Sequence, residues 1–230
     1  MNKTLINKFL GYFPITEVLL RNIYGRFSFF RNILKLFKNK KLKVDEKIEI
    51  NFYFKDLISL LKSEGIKEDD VVLIHSNMDE LAKCDIGPKE IVYELINKLC
   101  PKGTLVAPTF PLYPDNKNNI NRITKDMTNV KYSYDLKRSL PWTGLLGLIL
   151  MKVPGSRRSI HPLNTLVSYG KSTNEIFRNE SYSSLDLPCG INSSWSSLLK
   201  LNAKIICIGV DMAHSLTMIH VAEDCYEDTW

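Results

Sequence analysis

Short β-branched runs alternate with helix-forming segments along this chain from about residue 50 onward, and this alternation limits the folds that it can adopt. The strand-like runs are DVVLIHS (70–76), GTLVAPTF (103–110), NTLVSYG (164–170) and AKIICIGV (203–210). The helical segments are FKDLISLLKSEGI, PKEIVYELINKLC, WTGLLGLILMKV, SSWSSLLKLN and LTMIHVAEDCYE. Strands that alternate with helices predict an α/β domain whose helices cover both faces of one sheet.

Polar side chains follow several of the predicted strands at the point where each strand ends. His75 and Ser76 close the first run, Thr109 follows the second, and Asp211 follows the last. In sheets of this class, ligands bind outside the carboxyl ends of the strands. We therefore expect these residues to meet at one ligand-binding edge.

Composition describes an ordinary globular chain with one sizeable core. Of the 230 residues, 44% are hydrophobic and 24% are charged, which is enough chain to bury such a core. The five cysteines are odd in number and scattered, with no CxxC spacing. This pattern favours a reducing cytoplasm and argues against a disulfide framework or a zinc site, so we expect no metal.

The positive charge is concentrated at the N-terminus. Residues 1–50 hold eleven Lys/Arg and four Asp/Glu, a balance of +7, so the remainder of a chain of net charge +6 sums to −1. A nearly neutral body argues against nucleic-acid binding. We divide the chain into a basic amphipathic helical arm, 1–50, and a domain, 51–230. Packing of residues 1–43 against the body is the favoured interpretation, and peripheral contact with an anionic membrane is the alternative.

The stretch GSRRSIHPLNT places a histidine between two arginines and a proline. Pro162 disfavours helix at His161, so a stiff loop holds an imidazole that can accept a proton near neutral pH. Arg157 and Arg158 can form a planar fork for phosphates or carboxylates. The commoner fate of a single arginine is pairing with surface acids, and both interpretations stay open.

A second group of polar residues recurs at intervals of three in LTMIHVAED. Thr217, His220 and Glu223 lie on neighbouring positions of one helix face. Spacing alone favours a solvated helix face with a half-buried His220. No GxGxxG, Walker, GxSxG or HExxH motif accompanies these residues, so the usual nucleotide and hydrolase interpretations lack support.

Taken in order, these segments resemble a known family. VVLIHSNM, GTLVAPTF, PGSRRSIHPLNTLVSYG, PCGINSSWSSLLKLNAKIICIGV and LTMIHVAE are similar in order and spacing to the aminoglycoside 3-N-acetyltransferases, over about residues 53–224. The resemblance implies a three-layer α/β/α sandwich with a mixed central sheet. It also implies acetyl-coenzyme A as donor and a small-molecule aminosugar amine as acceptor.

The resemblance also implies roles for individual residues. His161 matches the active-site histidine of the family, and Glu223 matches its active-site glutamate. In these roles Glu223 would orient His161, and His161 would act as the general base in a ternary complex. The expected donor-binding residues are His75, Ser76, Asn77, Thr109, Ser159 and Thr217. Asn77 stands where the family usually has a second serine.

The function expected from this resemblance is N-acetylation of an aminoglycoside antibiotic or of a cell-surface polysaccharide aminosugar. An inactive relative that serves as a binding or assembly module is the alternative, because only seven residues follow Glu223 and the family usually continues. A covalent acetyl-enzyme on Cys189 is a rival route that we do not favour, since free cysteines are more often buried and inert.

Overall fold

Five strands in the described part of the chain form one mixed sheet. The computed structural model describes residues 50–113, 131–180 and 187–225. The strands are β1 (Val71–Ser76), β2 (Thr104–Pro108), β3 (Arg157–Arg158), β4 (Leu166–Gly170) and β5 (Lys204–Ile208). Their order across the sheet is β3–β4–β2–β1–β5. β1 runs parallel to β2 and β5, whereas β4 runs antiparallel to β2 and β3.

Helices connect the strands and begin at recognisable signals. They are α1 (Phe54–Ser63), α2 (Met78–Leu81), α3 (Pro88–Leu99), α4 (Leu145–Leu150), α5 (Thr173–Ile176), α6 (Ser194–Lys200), α7 (Met212–Ser215) and α8 (Ile219–Cys225). α3 begins at Pro88, whose missing N–H costs no hydrogen bond at the first helical position. The backbone N–H of Gly87, just before it, donates to Glu90 Oε2 at 3.1 Å. Ser193 caps α6 by accepting from Ser196 N at 3.1 Å, and serine is among the preferred N-cap residues.

Alternate residues of β1 face two separate cores, one on each side of the sheet. Val72 and Ile74 pack with side chains of α1, α3 and α4. Val71 and Leu73 pack with side chains of α5, α6 and α8. The centre of the sheet, at β1 and β2, is therefore buried on both faces, which explains the continuous apolar run of β1. The predicted three-layer α/β/α sandwich with a mixed sheet is confirmed.

The predicted helix over 142–153 is shorter in the structure, where α4 spans only Leu145–Leu150. Two hydrogen bonds tie the segment before it to the end of β2. Trp142 N donates to Phe110 O at 2.9 Å, and Thr143 Oγ1 donates to Pro108 O at 2.8 Å. The apolar periodicity of the sequence predicted a longer helix because it contains no information about these tertiary hydrogen bonds.

Residues 1–49 lie outside the described residues. The helical arm predicted over 1–50 and the membrane contact predicted through 1–43 fall there and stay predictions, as does the division at residue 50. Within the described ranges, no helix is both long and apolar enough to span a bilayer.

The strand register brings several loops to one edge of the sheet. The aligned pairs at this edge are Ser76 with Ile208, Pro108 with Leu166, and Arg158 with Val167. Because β4 is antiparallel to β2 and β3, the segment before β4 lies beside the segments after β2 and β3. Thr109 N donates to Thr165 O at 2.8 Å, and Ser159 N donates to Leu166 O at 2.9 Å. We call this side, where β1, β2, β3 and β5 end, the C-terminal edge.

Candidate active site

A cavity of about 170 Å³ opens at the C-terminal edge. Three predicted donor-binding residues, His75, Ser76 and Thr217, line it together. The other lining residues are Thr143, Ser215, Ile74, Ala107, Pro108, Phe110, Trp142, Leu146, Gly147 and Val210. Hydroxyl groups therefore face apolar walls, and none of the described lining residues is an Asp, Glu, Lys or Arg.

His75 is a neutral group in the wall of this cavity. Its side chain is 7% exposed, and its Nε2 atom has no hydrogen-bond partner among the described residues. Burial lowers the pKa of His75, because an apolar environment disfavours the imidazolium. The wall is therefore uncharged near neutral pH.

Trp142 forms an aromatic rim of the cavity that no sequence motif indicates. Its side chain is 57% exposed and packs edge-on against Phe110, with ring centroids 6.0 Å apart. Phe110 packs in the same way on buried Trp195 at 6.1 Å. A rigid, exposed indole at a cavity mouth provides an apolar platform with one polar N–H.

His161 lies on the loop that follows β3. Its backbone N–H donates to Ser159 Oγ at 3.2 Å. Its Nδ1 lies 3.1 Å from Leu163 N and 3.0 Å from Leu163 O. The Leu163 N–H donates to a lone pair on Nδ1, whereas the carbonyl contact needs a hydrogen on Nδ1, so the two contacts belong to different tautomers of the ring. The tautomer with hydrogen on Nδ1 is the one whose Nε2 can act as a base.

Arg158 and Thr109 form a buried network behind the C-terminal edge. The Arg158 guanidinium donates to Thr109 O at 2.6 Å, Thr109 Oγ1 at 3.2 Å, Ser139 O at 2.7 Å and Leu136 O at 3.3 Å. Thr109 is 0% exposed, and its hydroxyl lies 3.1 Å from Thr165 Oγ1. The Thr109 hydroxyl therefore supports the edge, and Thr109 is absent from the lining of the cavity.

The two neighbouring arginines have different environments. Arg158 is 9% exposed, and its guanidinium donates hydrogen bonds to carbonyl oxygens of the protein itself. Arg157 is exposed, donates to Asn174 Oδ1 at 2.7 Å and lies over the Phe177 ring. The phosphate or carboxylate contact considered for this pair therefore has no geometric support at Arg158.

Ser159 holds the His161 loop and is absent from the lining of the cavity. Its side chain is 1% exposed, and its hydroxyl donates to Glu180 Oε1 at 2.7 Å. Glu180 Oε2 accepts from Ile160 N at 2.9 Å. The Ser159 hydroxyl therefore contacts a carboxylate of the protein itself, and the donor contact predicted for Ser159 stays a prediction.

Asn77 acts as a helix cap. Its Oδ1 accepts from Asp79 N at 2.8 Å, and its backbone N–H donates to Ile208 O at 2.9 Å. Asparagine is among the preferred N-cap residues. The side chain of Asn77 therefore fixes the turn into α2, directly after His75 and Ser76 at the end of β1.

Glu223 contacts a histidine of its own helix. Glu223 Oε2 and His220 Nδ1 form a hydrogen bond across one turn of α8, and both side chains are partly exposed. Thr217 precedes α8 and faces the cavity. The spacing of three therefore brings Glu223 to His220, the residue predicted from spacing to be half-buried on a solvated helix face. Any pairing of Glu223 with His161 stays a proposal.

Cys189 links the His161 loop to α8. Asn164 Nδ2 donates to Cys189 Sγ at 3.4 Å, and Cys189 N donates to Asp224 Oδ2 at 2.8 Å. Asn164 is three residues from His161, and Asp224 is adjacent to Glu223. This chain of contacts joins the two segments that carry the predicted acid–base residues.

We expect Cys189 to resist iodoacetamide in the folded protein, since burial raises the pKa of its thiol to about 12 and leaves it 0% exposed. Alkylation requires the thiolate. Mass spectrometry should find Cys189 modified only after unfolding, while partly exposed Cys207 serves as the internal control. Cys189→Ser should retain acetyl transfer, and a burst of acetylation lost in that variant would restore the covalent route.

The cysteines of the described residues are free. No group of three or more His, Cys, Asp and Glu side chains within residues 50–113, 131–180 and 187–225 is arranged to hold a metal ion.

Three comparisons with known proteins agree on one family. The sequence profile described as aminoglycoside 3-N-acetyltransferase matches residues 73–229. An aminoglycoside N(3')-acetyltransferase-like protein, YokD of Bacillus subtilis, is 26% identical over 71% of this chain and 61% of its own length. Aminoglycoside N(3)-acetyltransferase IX of Micromonospora chalcea is 24% identical over 69% of this chain and 57% of its own.

Solved structures show the same fold. AAC-IIIb in a binary complex with CoASH superposes with a TM-score of 0.61 at 23% identity, covering 75% of this chain and 64% of that chain. The YokD crystal structure gives a TM-score of 0.58 at 23% identity, covering 74% and 69%. The chain spans about three fifths of the length of the curated relatives that it matches.

Proposed function

Since the chain belongs to the aminoglycoside 3-N-acetyltransferase family, we propose that it transfers an acetyl group from acetyl-coenzyme A to an amine of an aminosugar-containing acceptor. One observation carries this proposal beyond family membership. The uncharged cavity that contains His75, Ser76 and Thr217 opens at the sheet edge where the His161 loop lies.

The cavity suits the acyl donor better than the acceptor. A pantetheine arm is uncharged and carries amide groups and a thioester between short alkyl segments, which match hydroxyls set in apolar walls. Ser76 and Thr217 supply the hydroxyls, and neutral His75 adds no charge. A related structure binds coenzyme A, which supports the same donor here.

His161 is the proposed general base. An amine attacks a thioester only when it is unprotonated, so a proton acceptor near neutral pH is required. The amine nitrogen forms a bond to the carbonyl carbon and the carbon–sulfur bond breaks. His161 Nε2 takes the proton from the nitrogen, and that proton then passes to the departing thiolate. Glu223 supports the positive charge that develops on the imidazole, either directly or through His220.

The proposed acceptor is an aminosugar amine, with aminoglycosides as its first candidates. One related structure contains bound sisomicin and another contains bound apramycin, and both ligands are aminoglycosides. Thr217 lines the cavity just before α8, and Glu223 and Asp224 on that helix provide acidic groups that can attract a cationic sugar. Cell-surface aminosugars also carry an amine on a sugar ring, and they are the second class of acceptor to be tested.

We expect coenzyme A to raise the melting temperature of the protein, since a ligand at a hundred times its Kd stabilises the folded state by about 3 kcal/mol. Acetyl-coenzyme A consumption should then accompany the appearance of N-acetylated product, as detected by mass spectrometry. Sisomicin, apramycin and a nucleotide-linked aminosugar are the acceptors to compare, with acceptor-free and protein-free reactions as controls.

Two outcomes would overturn the proposal. The donor assignment is wrong if coenzyme A produces no shift. A shift without transfer to any of the three acceptors would contradict catalysis and favour the inactive binding module instead.

A further inference from the structure

Glu180 accepts hydrogen bonds from the His161 loop with both of its carboxylate oxygens. Oε1 accepts from the Ser159 hydroxyl at 2.7 Å, and Oε2 accepts from the Ile160 backbone N–H at 2.9 Å. A charged acceptor makes shorter and stronger hydrogen bonds than a neutral one. One side chain therefore holds the two residues that precede His161.

Two tyrosines hold the same loop through its backbone carbonyls. Tyr134 Oη donates to Ser159 O at 2.6 Å, and Tyr113 Oη donates to Pro162 O at 2.7 Å. Burial raises the pKa of each phenol, so both remain protonated donors near neutral pH. Together with Glu180, they fix the loop on both flanks of His161.

Ser159 relays the contact of Glu180 to His161. Its hydroxyl has one hydrogen, which it gives to Glu180, and its oxygen accepts the His161 backbone N–H at 3.2 Å. The carboxylate cannot donate, so it forces the hydroxyl hydrogen to point away from His161. The oxygen lone pairs are thereby kept available for the His161 N–H.

We propose that Glu180 is a positioning residue for His161, which acts through Ser159 and Ile160 to set where the imidazole lies at the C-terminal edge. This inference rests on the proposed function, because positioning has a kinetic consequence only if His161 acts on substrate. A displacement of about 1 Å in a catalytic group can cost about a hundredfold in rate.

Glu180→Gln tests the proposal with little change in shape. The new amide must turn its N–H₂ group toward either Ile160 N, which cannot accept, or Ser159 Oγ. In the second case the serine becomes an acceptor of the amide, and its hydroxyl hydrogen is free to turn toward His161 N. We expect kcat to fall at least tenfold, with KM for acetyl-coenzyme A within about twofold of the wild-type value.

The controls separate positioning from folding. Glu175→Gln makes the same exchange at an exposed residue of α5 and should leave both kinetic constants unchanged. In a cycle with Ser159→Ala, the Glu180→Gln effect should shrink well below its effect in the wild type, because both changes break one relay. Melting temperatures and coenzyme A affinity of all variants show whether each protein is folded.

A spectroscopic readout keeps the inference testable apart from activity. The ring resonances of His161 in ¹H–¹⁵N spectra should shift in Glu180→Gln and stay unchanged in Glu175→Gln. An inactive wild type would contradict the proposed function and leave this readout to decide the inference. Unshifted resonances, or a wild-type kcat in Glu180→Gln when the wild type is active, would overturn the positioning role.

Discussion

The His161→Ala protein is expected to fold and bind coenzyme A like the wild type but to transfer acetyl groups about 10²–10⁴-fold more slowly, the range typical of a lost general base. The imidazole is only partly buried, and its loop is held mainly through Ser159, Ile160 and Pro162. Removing it therefore disturbs little packing. The measurements are acetyl-coenzyme A consumption at saturating donor and the coenzyme A-induced shift in melting temperature.

His220→Asn is the matched comparison for this prediction. His220 is the second histidine beside the predicted acid–base residues, and it contacts Glu223 directly. If His161 is the base, its loss should slow the reaction far more than the loss of His220, which would then act only through Glu223. A wild-type rate in His161→Ala together with a large loss in His220→Asn would transfer the base role to His220.

Sequence patterns predicted the central strands because the centre of the sheet is buried on both faces. The continuous apolar run of β1 arises from that burial, and it marks a strand without any tertiary information. The predicted helix ends were less accurate. Helix α4 begins only at Leu145 because Trp142 and Thr143 form hydrogen bonds with the end of β2 and the residues just after it. Strand β3 was missed because two arginines carry no β-branched or apolar signal.

The candidate site was predictable at the level of loops and less so at the level of side chains. Ser76 is the last residue of β1, Thr109 and Ser159 directly follow β2 and β3, and all three lie at the C-terminal edge. Only Ser76 lines the cavity, because the other two hydroxyls contact charged side chains of the protein itself, buried Arg158 and partly buried Glu180. A hydroxyl looks the same in sequence whether it faces a ligand or an internal charge.

Glu180 and Trp142 could not be found from sequence for a related reason. Glu180 has no motif spacing to His161, and the two meet only because the segment after α5 returns to the β3 end of the sheet. Trp142 lay inside a predicted helix, where an aromatic residue is more often core. Long-range contacts such as these arise from topology, which local patterns do not contain.

Arg158→Met is expected to lower the free energy of unfolding by about 3 kcal/mol. The change removes four hydrogen bonds, each of which contributes about 0.5–1.5 kcal/mol net. The carbonyl of fully buried Thr109 loses its guanidinium donor and keeps only its hydrogen bond from the Thr165 hydroxyl. The carbonyls of Leu136 and Ser139 lose the same donor. For a domain of this size, the melting temperature should fall by about 6–12 °C.

Arg157→Met is the matched control, because it makes the same exchange one residue earlier in the same strand. Arg157 is exposed and has one hydrogen bond, to Asn174, besides its ring contact with Phe177, so we expect a loss below about 1 kcal/mol. Equal losses in the two variants would show that the guanidinium of Arg158 is not needed to hold the loop of residues 134–139 to β2. A large loss at Arg158 alone would explain why one arginine of the pair faces solvent and the other is used to build the edge on which His161 lies.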